Sequence, residues 1–295
     1  MFLLIDFLNV AYRSFFAIKG LSNSKGFPTN AVYGVLQSIR RWLDEWKPTY
    51  LAVVLDAETP ARRLELLPQY KANRPPPPEL LPPQLEMLCK LFPMLGWPTA
   101  FNSTEEADDL AAALALKAAK EGHEVRIASN DKDFFQIVSP QIKILRSTPK
   151  ETLLADEAWL QGRWGIKPEQ MADFLALQGD SSDNIPGVPG VGEKTAADLI
   201  GRFGSVEKLL ASLEKIQRPK LQAALAEHAE AVRRNVKLIR LNPILDIPSL
   251  DGFRLQAPQY QPLLQTLSEL EFKSLLSFYK NESQKVIQSK QMVLF

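Results

Sequence analysis

Cysteine and histidine are nearly missing from this chain. Its 295 residues include a single cysteine, Cys89, and two histidines, His123 and His228. A lone cysteine excludes an internal disulfide framework and fits a reducing compartment. One Cys and two His cannot assemble a Cys/His zinc site either, and neither histidine is expected to be catalytic. No apolar run approaches the roughly 20 residues of a membrane span. The opening run Met1-Phe2-Leu3-Leu4-Ile5-Asp6 lacks a basic n-region and stops at an aspartate, so it reads as a first β-strand and not as a signal peptide. The chain is therefore expected in the cytoplasm, with no membrane partner. A large charge excess is also missing, since 35 basic residues oppose 34 acidic ones. What is present is ordinary for a globular protein: 45 % apolar and 23 % charged residues, enough for one large domain or two closely joined ones.

The first half alternates short apolar runs with helical stretches. Phe2 to Asp6, Tyr50 to Asp56, Val125 to Asp131 and Ile142 to Leu145 read as strands, separated by helices such as Asn30 to Trp46 and Ala107 to Lys120. This order predicts an α/β fold with a mostly parallel sheet flanked by helices. Ligands in such sheets sit beyond the carboxyl ends of the strands, and three of these strands deliver an aspartate there. Residues 62–98 are rich in proline and basic side chains. Pro75 to Pro78 and Pro82-Pro83 should break any long helix, which predicts a mobile segment beside the strand end that carries Asp56. From about Trp159 to Asn242 the chain is expected to be helical, interrupted by the Gly-, Pro- and Asp-rich stretch Gly179 to Thr195. A last helix is expected from Leu263 to Tyr279, followed by a loose polar tail.

Nine carboxylates stand out: Asp6, Asp56, Glu106, Asp108, Asp109, Asp131, Asp133, Asp180 and Asp183. Ser103 and Glu106 have capping-box spacing, and a helix N-terminus favours acids through its dipole. That alone would explain Glu106, Asp108 and Asp109, but not acids at the strand ends as well. Several carboxylates converging on one cleft repel one another, and divalent cations remove the problem. Oxygen-only ligation points to Mg²⁺ or Mn²⁺, two ions or more. Setting these nine aside leaves 35 basic residues against 25 of the 34 acidic ones. A neutralised acidic site on a basic body suits a phosphodiester substrate.

Two further motifs support that substrate. Gly187 to Thr195 is a near miss to a P-loop, because Glu193 interrupts the pattern and no strand leads into it. Gly187, Gly190 and Gly192 instead let the backbone approach a phosphate, with Lys194 and Thr195 at the start of the following helix. This reads as a clamp on duplex backbone that ignores base identity. In Tyr70-Lys71-Ala72-Asn73-Arg74, basic groups beside an aromatic suit a scissile phosphate next to an unstacked base.

In this order, the motifs resemble the 5′-nuclease domain of bacterial DNA polymerase I and the wider flap-endonuclease family. The likeness spans about Phe2 to Tyr279 and includes Ala11-Tyr12-Arg13, Val54-Leu55-Asp56, Tyr70 to Pro75, Glu106 to Asp109, Asn130 to Asp133 and Gly179 to Ala196. One departure is Phe7, where many relatives have glycine. The resemblance implies a PIN-like core over residues 1–165 with a helical arch over about 62–98. It also implies a helix–three-turn–helix DNA-binding region over 166–242 and a segment at 243–280 that packs back on the core. It further implies Mg²⁺-dependent hydrolysis that leaves a 5′-phosphate, with the nine carboxylates as metal ligands. Lys71 and Arg74 would contact the scissile phosphate and Tyr70 would stack near it. Arg13, Gly187, Gly190, Gly192, Lys194 and Thr195 would bind DNA, and a K⁺ ion would sit at the glycine-rich turn. Its partner would be DNA with a 5′ flap, nick or 5′ end, RNA-primed ends included, handled by a monomer near the bacterial nucleoid. A non-catalytic DNA-binding relative would have lost ligand carboxylates. A PIN-type ribonuclease would be shorter and lack Gly179 to Ala196. No polymerase or proofreading domain follows, so the chain is either a stand-alone enzyme or a piece of a polymerase. The last residues, Gln291-Met292-Val293-Leu294-Phe295, resemble the peptide with which bacterial replication proteins bind the sliding clamp. Gln291 would fill a polar pocket, and Leu294 and Phe295 an apolar one. The competing reading docks Leu294 and Phe295 on the protein's own core.

Overall fold

The structure, a computed structural model, describes residues 1–56, 61–147 and 152–292, with side chains up to residue 288 apart from that of Ala61. Its elements run β1 Phe2–Asp6, α1 Phe7–Ala17, α2 Asn30–Trp46, β2 Tyr50–Val54, α3 Ala61–Leu66, α4 Pro82–Met94, β3 Thr99–Ala100, α5 Ala107–Lys120, β4 Val125–Ala128, β5 Ile142–Ser147 and β6 Thr152–Ala155. There follow α6 Glu157–Trp164, α7 Met171–Gln178, α8 Glu193–Phe203, α9 Val206–Leu210, α10 Pro219–Glu227, α11 Ala229–Ile239, α12 Tyr260–Glu269 and α13 Lys273–Met292. The strands form a six-stranded sheet in the order β3-β2-β1-β4-β5-β6. β4 and β5 run parallel, with Val125 opposite Ile142, while β5 and β6 form an antiparallel edge. The expected α/β class is therefore present. Among the described residues no helix is long and apolar enough to cross a membrane.

The chain divides into two compact units. The first comprises residues 1–53, 77–100 and 248–295. Phe2, Leu3, Leu4 and Ile5 of β1 are fully buried with Leu51, Ala52 and Val53 of β2. Phe7 meets Phe92 edge-on at 5.3 Å, and Phe2 lies 5.9 Å from Phe253. α2 lacks a side-chain cap of its own at Thr29. The fully buried Gln84 of α4 does that work: its Oε1 accepts from the N–H groups of Ala31 (2.7 Å) and Val32 (3.3 Å), and its Nε2 donates to Asn30. A buried amide is tolerated because all its bonds are made.

The second unit comprises residues 54–76 and 101–247. Phe135, Trp159, Trp164 and Phe174 form an aromatic cluster with neighbouring centroids 5.3–5.6 Å apart. Asn235 of α11, also fully buried, donates to the carbonyls of Ala176 (3.3 Å) and Pro186 (2.8 Å), tying α11 to the turn after α7.

Several boundaries differ from expectation. Pro82-Pro83 does not break a helix but begins α4 at its first positions, where the missing N–H groups would lack partners anyway. The stretch from 62 to 98 accordingly holds two helices joined by turns and the proline run. The expected capping box at Ser103 and Glu106 does not form. Asn102 Oδ1 instead accepts from the N–H groups of Thr104 and Glu105, which moves the N-cap to Glu106 and frees its side chain. The end of the helical stretch expected up to Asn242 is divided at His228 into α10 and α11. The last helix is divided at Leu270–Phe272, where Glu271 adopts φ 59°. Its second half runs on to Met292, so residues 281–290 are helical and not a loose tail. Val293, Leu294 and Phe295, with the side chain of Gln291, lie outside the described residues.

Candidate metal centre and nucleic-acid interface

Eight of the nine carboxylates belong to the second unit, at the ends of elements. Asp56 follows β2 by two residues, Glu106 to Asp109 open α5, Asp131 and Asp133 follow β4, and Asp180 and Asp183 occupy the turn after α7. Asp6 stands in the first unit, where it closes β1 and caps α1 by accepting from the N–H of Asn9 at 3.3 Å. Local hydrogen bonds fix several of these acids. Asp131 Oδ1 accepts from the N–H of Asp133 at 2.9 Å. Asp180 Oδ1 accepts from the N–H (2.8 Å) and Oγ (2.6 Å) of Ser182. The backbones of Asp180 and Ile185 bond each other in both directions at 2.9 and 2.8 Å, which closes the turn.

The electrostatics match acids brought together at some cost. Burial raises the Asp131 carboxyl, and Asp183 and Asp180 add to it, against the opposing Asp133 N–H and Lys71. Burial together with Asp131, Asp183 and Asp180 holds Asp133 well above the usual carboxylate range. Asp56 is exposed at its surface, yet desolvation by the surrounding protein pushes its carboxyl up to about 6; Lys71 and Arg74 oppose the rise and Glu106 adds to it. These groups therefore share one field.

Cations of the chain already face part of the set. Lys71 Nζ lies 2.8 Å from Glu106 Oε1. The Tyr70 hydroxyl reaches Glu106 (3.3 Å) and Asp183 (3.1 Å), and Arg74 pairs with Asp183. Arg63 is buried, pairs with Glu106 and Asp109, and donates to the carbonyl of Leu238 at 3.2 Å. Arg62 bridges Glu105 (2.8 Å) and Asp109 (3.0 Å). Asp109 is fully buried between these two guanidinium groups and the N–H of Asn242 at 2.7 Å. Its surroundings are those of an internal ion pair. The Tyr70 ring, expected to meet a base, is only 6 % exposed and lies under Lys71 Nζ at 5.0 Å. Asp108 is half-buried in the first turn of α5.

Among the described residues, no three His, Cys, Asp or Glu side chains are gathered closely enough to cage a metal ion. The donor chemistry nevertheless fits a hard divalent cation. Every donor is a carboxylate oxygen, and the raised Asp56, Asp131 and Asp133 mark negative charge that a cation would relieve. Lys71 and Arg74 hold two of the acids in the arrangement described.

The glycine-rich turn joins α7 to α8. Gly179 has φ 77° and Gly190 φ 79°. A Cβ at Gly187 would lie 2.1 Å from the carbonyl oxygen of Gln178, so only glycine fits there. Gly192, in contrast, faces open space. Lys194 is exposed and Thr195 half-buried in the first turn of α8. Glu193, the residue that interrupts the P-loop pattern, pairs with Arg163 at 2.8 Å and Lys132 at 4.0 Å. In the first unit Arg13 lies over the Trp42 ring at 5.8 Å, and burial and Arg41 lower its pKa against the pull of Asp6. Sequence reasoning missed Arg62, Arg63, Asn73, Asn184 and Asn242, whose partners lie far away along the chain.

Residues 1–165 match the model of the 5′-3′ exonuclease N-terminal resolvase-like domain, and residues 166–261 match that of the 5′-3′ exonuclease C-terminal SAM fold. The chain belongs to the 5′-3′ exonuclease family. It is 38 % identical to a 5′-3′ exonuclease of Aquifex aeolicus over 92 % of this chain and 93 % of that protein. It is 42 % identical to the thermostable DNA polymerase I of Thermus thermophilus over 93 % of this chain, and spans 32 % of that relative's length. Its fold matches that of the bacteriophage T5 D15 flap endonuclease, solved as a pseudo-enzyme–product complex with DNA and metal ions. That match has a TM-score of 0.68 and 20 % identity, covering 97 % of this chain and 99 % of that one.

Proposed function

We propose that this protein is a structure-specific 5′-3′ exodeoxyribonuclease and 5′-flap endonuclease that hydrolyses DNA phosphodiesters in replication and repair. The observation that carries the reading is the shared field of Asp56, Asp131 and Asp133, with Asp180 and Asp183 beside them and the cations Lys71 and Arg74 turned toward them. A stability-driven core would not assemble so many acids. Asp56, Glu106, Asp108, Asp131, Asp133, Asp180 and Asp183 are the residues that would hold Mg²⁺ or Mn²⁺. Asp6 keeps its place in this set on the sequence pattern alone. Asp109 would act by holding Arg62 and Arg63 against the start of α5. Divalent ions bound there would supply a nucleophilic water and neutralise the phosphate oxygens.

The chain's own groups would do the rest. Lys71 and Arg74 would take hold of the non-bridging oxygens of the scissile phosphate and stabilise the charge that builds there during in-line attack. Water adds to phosphorus, the bond to the 3′ oxygen breaks, and a 5′-phosphate and a 3′-hydroxyl remain. The N–H groups at the start of α8, Lys194 and the turn Gly187 to Gly192 would grip duplex backbone without reading bases, with K⁺ on the turn's carbonyl groups. The substrate would be DNA with a 5′ flap, a nick or a 5′ end, bound by a monomer. The end Gln291 to Phe295 would reach a sliding clamp.

Incubation of 5′-labelled flap DNA, nicked duplex and plain single-stranded RNA with Mg²⁺ tests this reading. Cleavage at the flap junction, with the RNA left intact, is expected. Cleavage of the RNA alone, or of no substrate, would overturn it.

A further inference from the structure

The segment that carries Lys71 and Arg74 has no regular structure of its own. Tandem turns run through it, with Tyr70 N–H to Leu67, Ala72 N–H to Gln69 and Arg74 N–H to Lys71. It lies against the turn at Asp180–Ile185, within the same unit, and two asparagines join the two loops. Asn73 Nδ2 donates to the carbonyl of Ser181 at 2.8 Å. Asn184 Nδ2 donates back to the carbonyl of Gln69 at 2.7 Å. Between them the Lys71 N–H donates to the carbonyl of Asp183 at 3.0 Å. A cavity of about 680 Å³ lies beside the junction, lined by Leu67, Gln69, Asn73, Gly179, Asp180 and Ile185. The loops meet through these hydrogen bonds together with the Arg74–Asp183 ion pair.

The backbone shows that the junction is held. Lys71 has φ 59° and Asn184 φ 58°. Asparagine tolerates the left-handed region, whereas a lysine there persists only where its surroundings fix it. This conformation points the Lys71 amide at Asp183 while its ammonium group reaches Glu106.

We propose that Asn73 and Asn184 form a reciprocal clasp that positions Lys71 and Arg74 over the carboxylates. They are positioning residues and touch no reacting atom. The inference rests on the reading of Lys71 and Arg74 as phosphate-binding groups.

The test uses the full chain with Asn184→Gly, which tolerates the left-handed backbone while removing the side-chain amide, and with the exposed Asn73→Ala. Hydrogen exchange over residues 67–75 should speed up by about tenfold, the scale of one lost hydrogen bond, with exchange over residues 2–5 unchanged. Single-turnover cleavage of flap DNA should slow by about tenfold or more, while duplex affinity moves less than about twofold. Adding Lys71→Ala to Asn184→Gly should slow the reaction no further than Lys71→Ala alone, because the lysine is already misplaced. Unchanged exchange in both single variants, or additive losses of rate, would overturn the clasp. A wild-type protein that cleaves no flap DNA would overturn the functional reading instead, and the exchange measurement would still decide whether the clasp exists.

Discussion

Replacing Arg63 with methionine keeps an unbranched apolar stem and removes the charged guanidinium group, and it should cost about 3 kcal/mol of folding stability. Arg63 is 2 % exposed. Burial works against its charge, yet Glu106 and Asp109 outweigh that and hold its pKa above normal. Removing one partner of a buried ion pair costs about 3–5 kcal/mol. The lower end applies because both acids keep other partners. Glu106 retains Lys71 at 2.8 Å and the Tyr70 hydroxyl at 3.3 Å, and Asp109 retains Arg62 at 3.0 Å and the Asn242 N–H at 2.7 Å. In a chain of this size each kcal/mol lowers Tm by about 2–4 °C, so the expected drop is roughly 6–12 °C. Arg62→Met is the control. Its side chain is 33 % exposed, so its loss should cost about 1 kcal/mol or less. Calorimetry in EDTA measures both. Arg63→Met melting within about 2 °C of wild type, or Arg62→Met proving the more harmful, would refute the assignment of Arg63 as the internal counter-ion of the acidic helix start.

Other expectations concern the site itself. Asp108→Ala and Asp131→Ala should each slow cleavage by about a hundredfold or more and leave duplex binding largely intact; near wild-type turnover in both, measured in single-turnover assays, would remove them from the metal site. The folded pKa of Asp133 lies above its unfolded value, so its contribution is present at low pH and is lost as pH rises through the folded value. Asp56 follows the same sign between 3.8 and about 6. The metal-free protein should therefore melt lower at pH 7 than these groups would allow at pH 4. Asp133→Asn should raise its stability at pH 7 by about 1 kcal/mol, and thermal melts across pH in EDTA would show a steeper decline, not a shallower one, if the sign is wrong. Lys194→Ala should reduce the salt dependence of duplex binding by about one phosphate contact, and fluorescence titrations at several salt concentrations that give an unchanged slope would place Lys194 off the DNA.

Much of the site could be read from local pattern. β1 begins and ends at Phe2 and Asp6 as expected, and α2 and α5 span the expected Asn30–Trp46 and Ala107–Lys120, because apolar runs and helical periodicity are local signals. The acids after β2 and β4 were visible for the same reason. The charges that meet them were not. Arg63 finds Glu106 and Asp109 more than forty residues away, and no local signal marks an arginine as buried. Tyr70 was expected beside a base, but its aromatic character gave no warning that Arg63 and Lys71 would cover the ring. The divided C-terminal helix turns on Glu271 at φ 59°, a conformation glutamate rarely adopts and sequence gives no reason to expect.

The central claim is that the carboxylates sharing one field serve divalent-metal hydrolysis of a 5′ flap. Its most direct test is single-turnover cleavage of 5′-labelled flap DNA by wild type and Asp131→Asn, with Mg²⁺ and with EDTA. The expected result is junction cleavage only by wild type with Mg²⁺, with both proteins binding the DNA alike. Equal cleavage in EDTA, or an Asp131→Asn variant as fast as wild type, would contradict it.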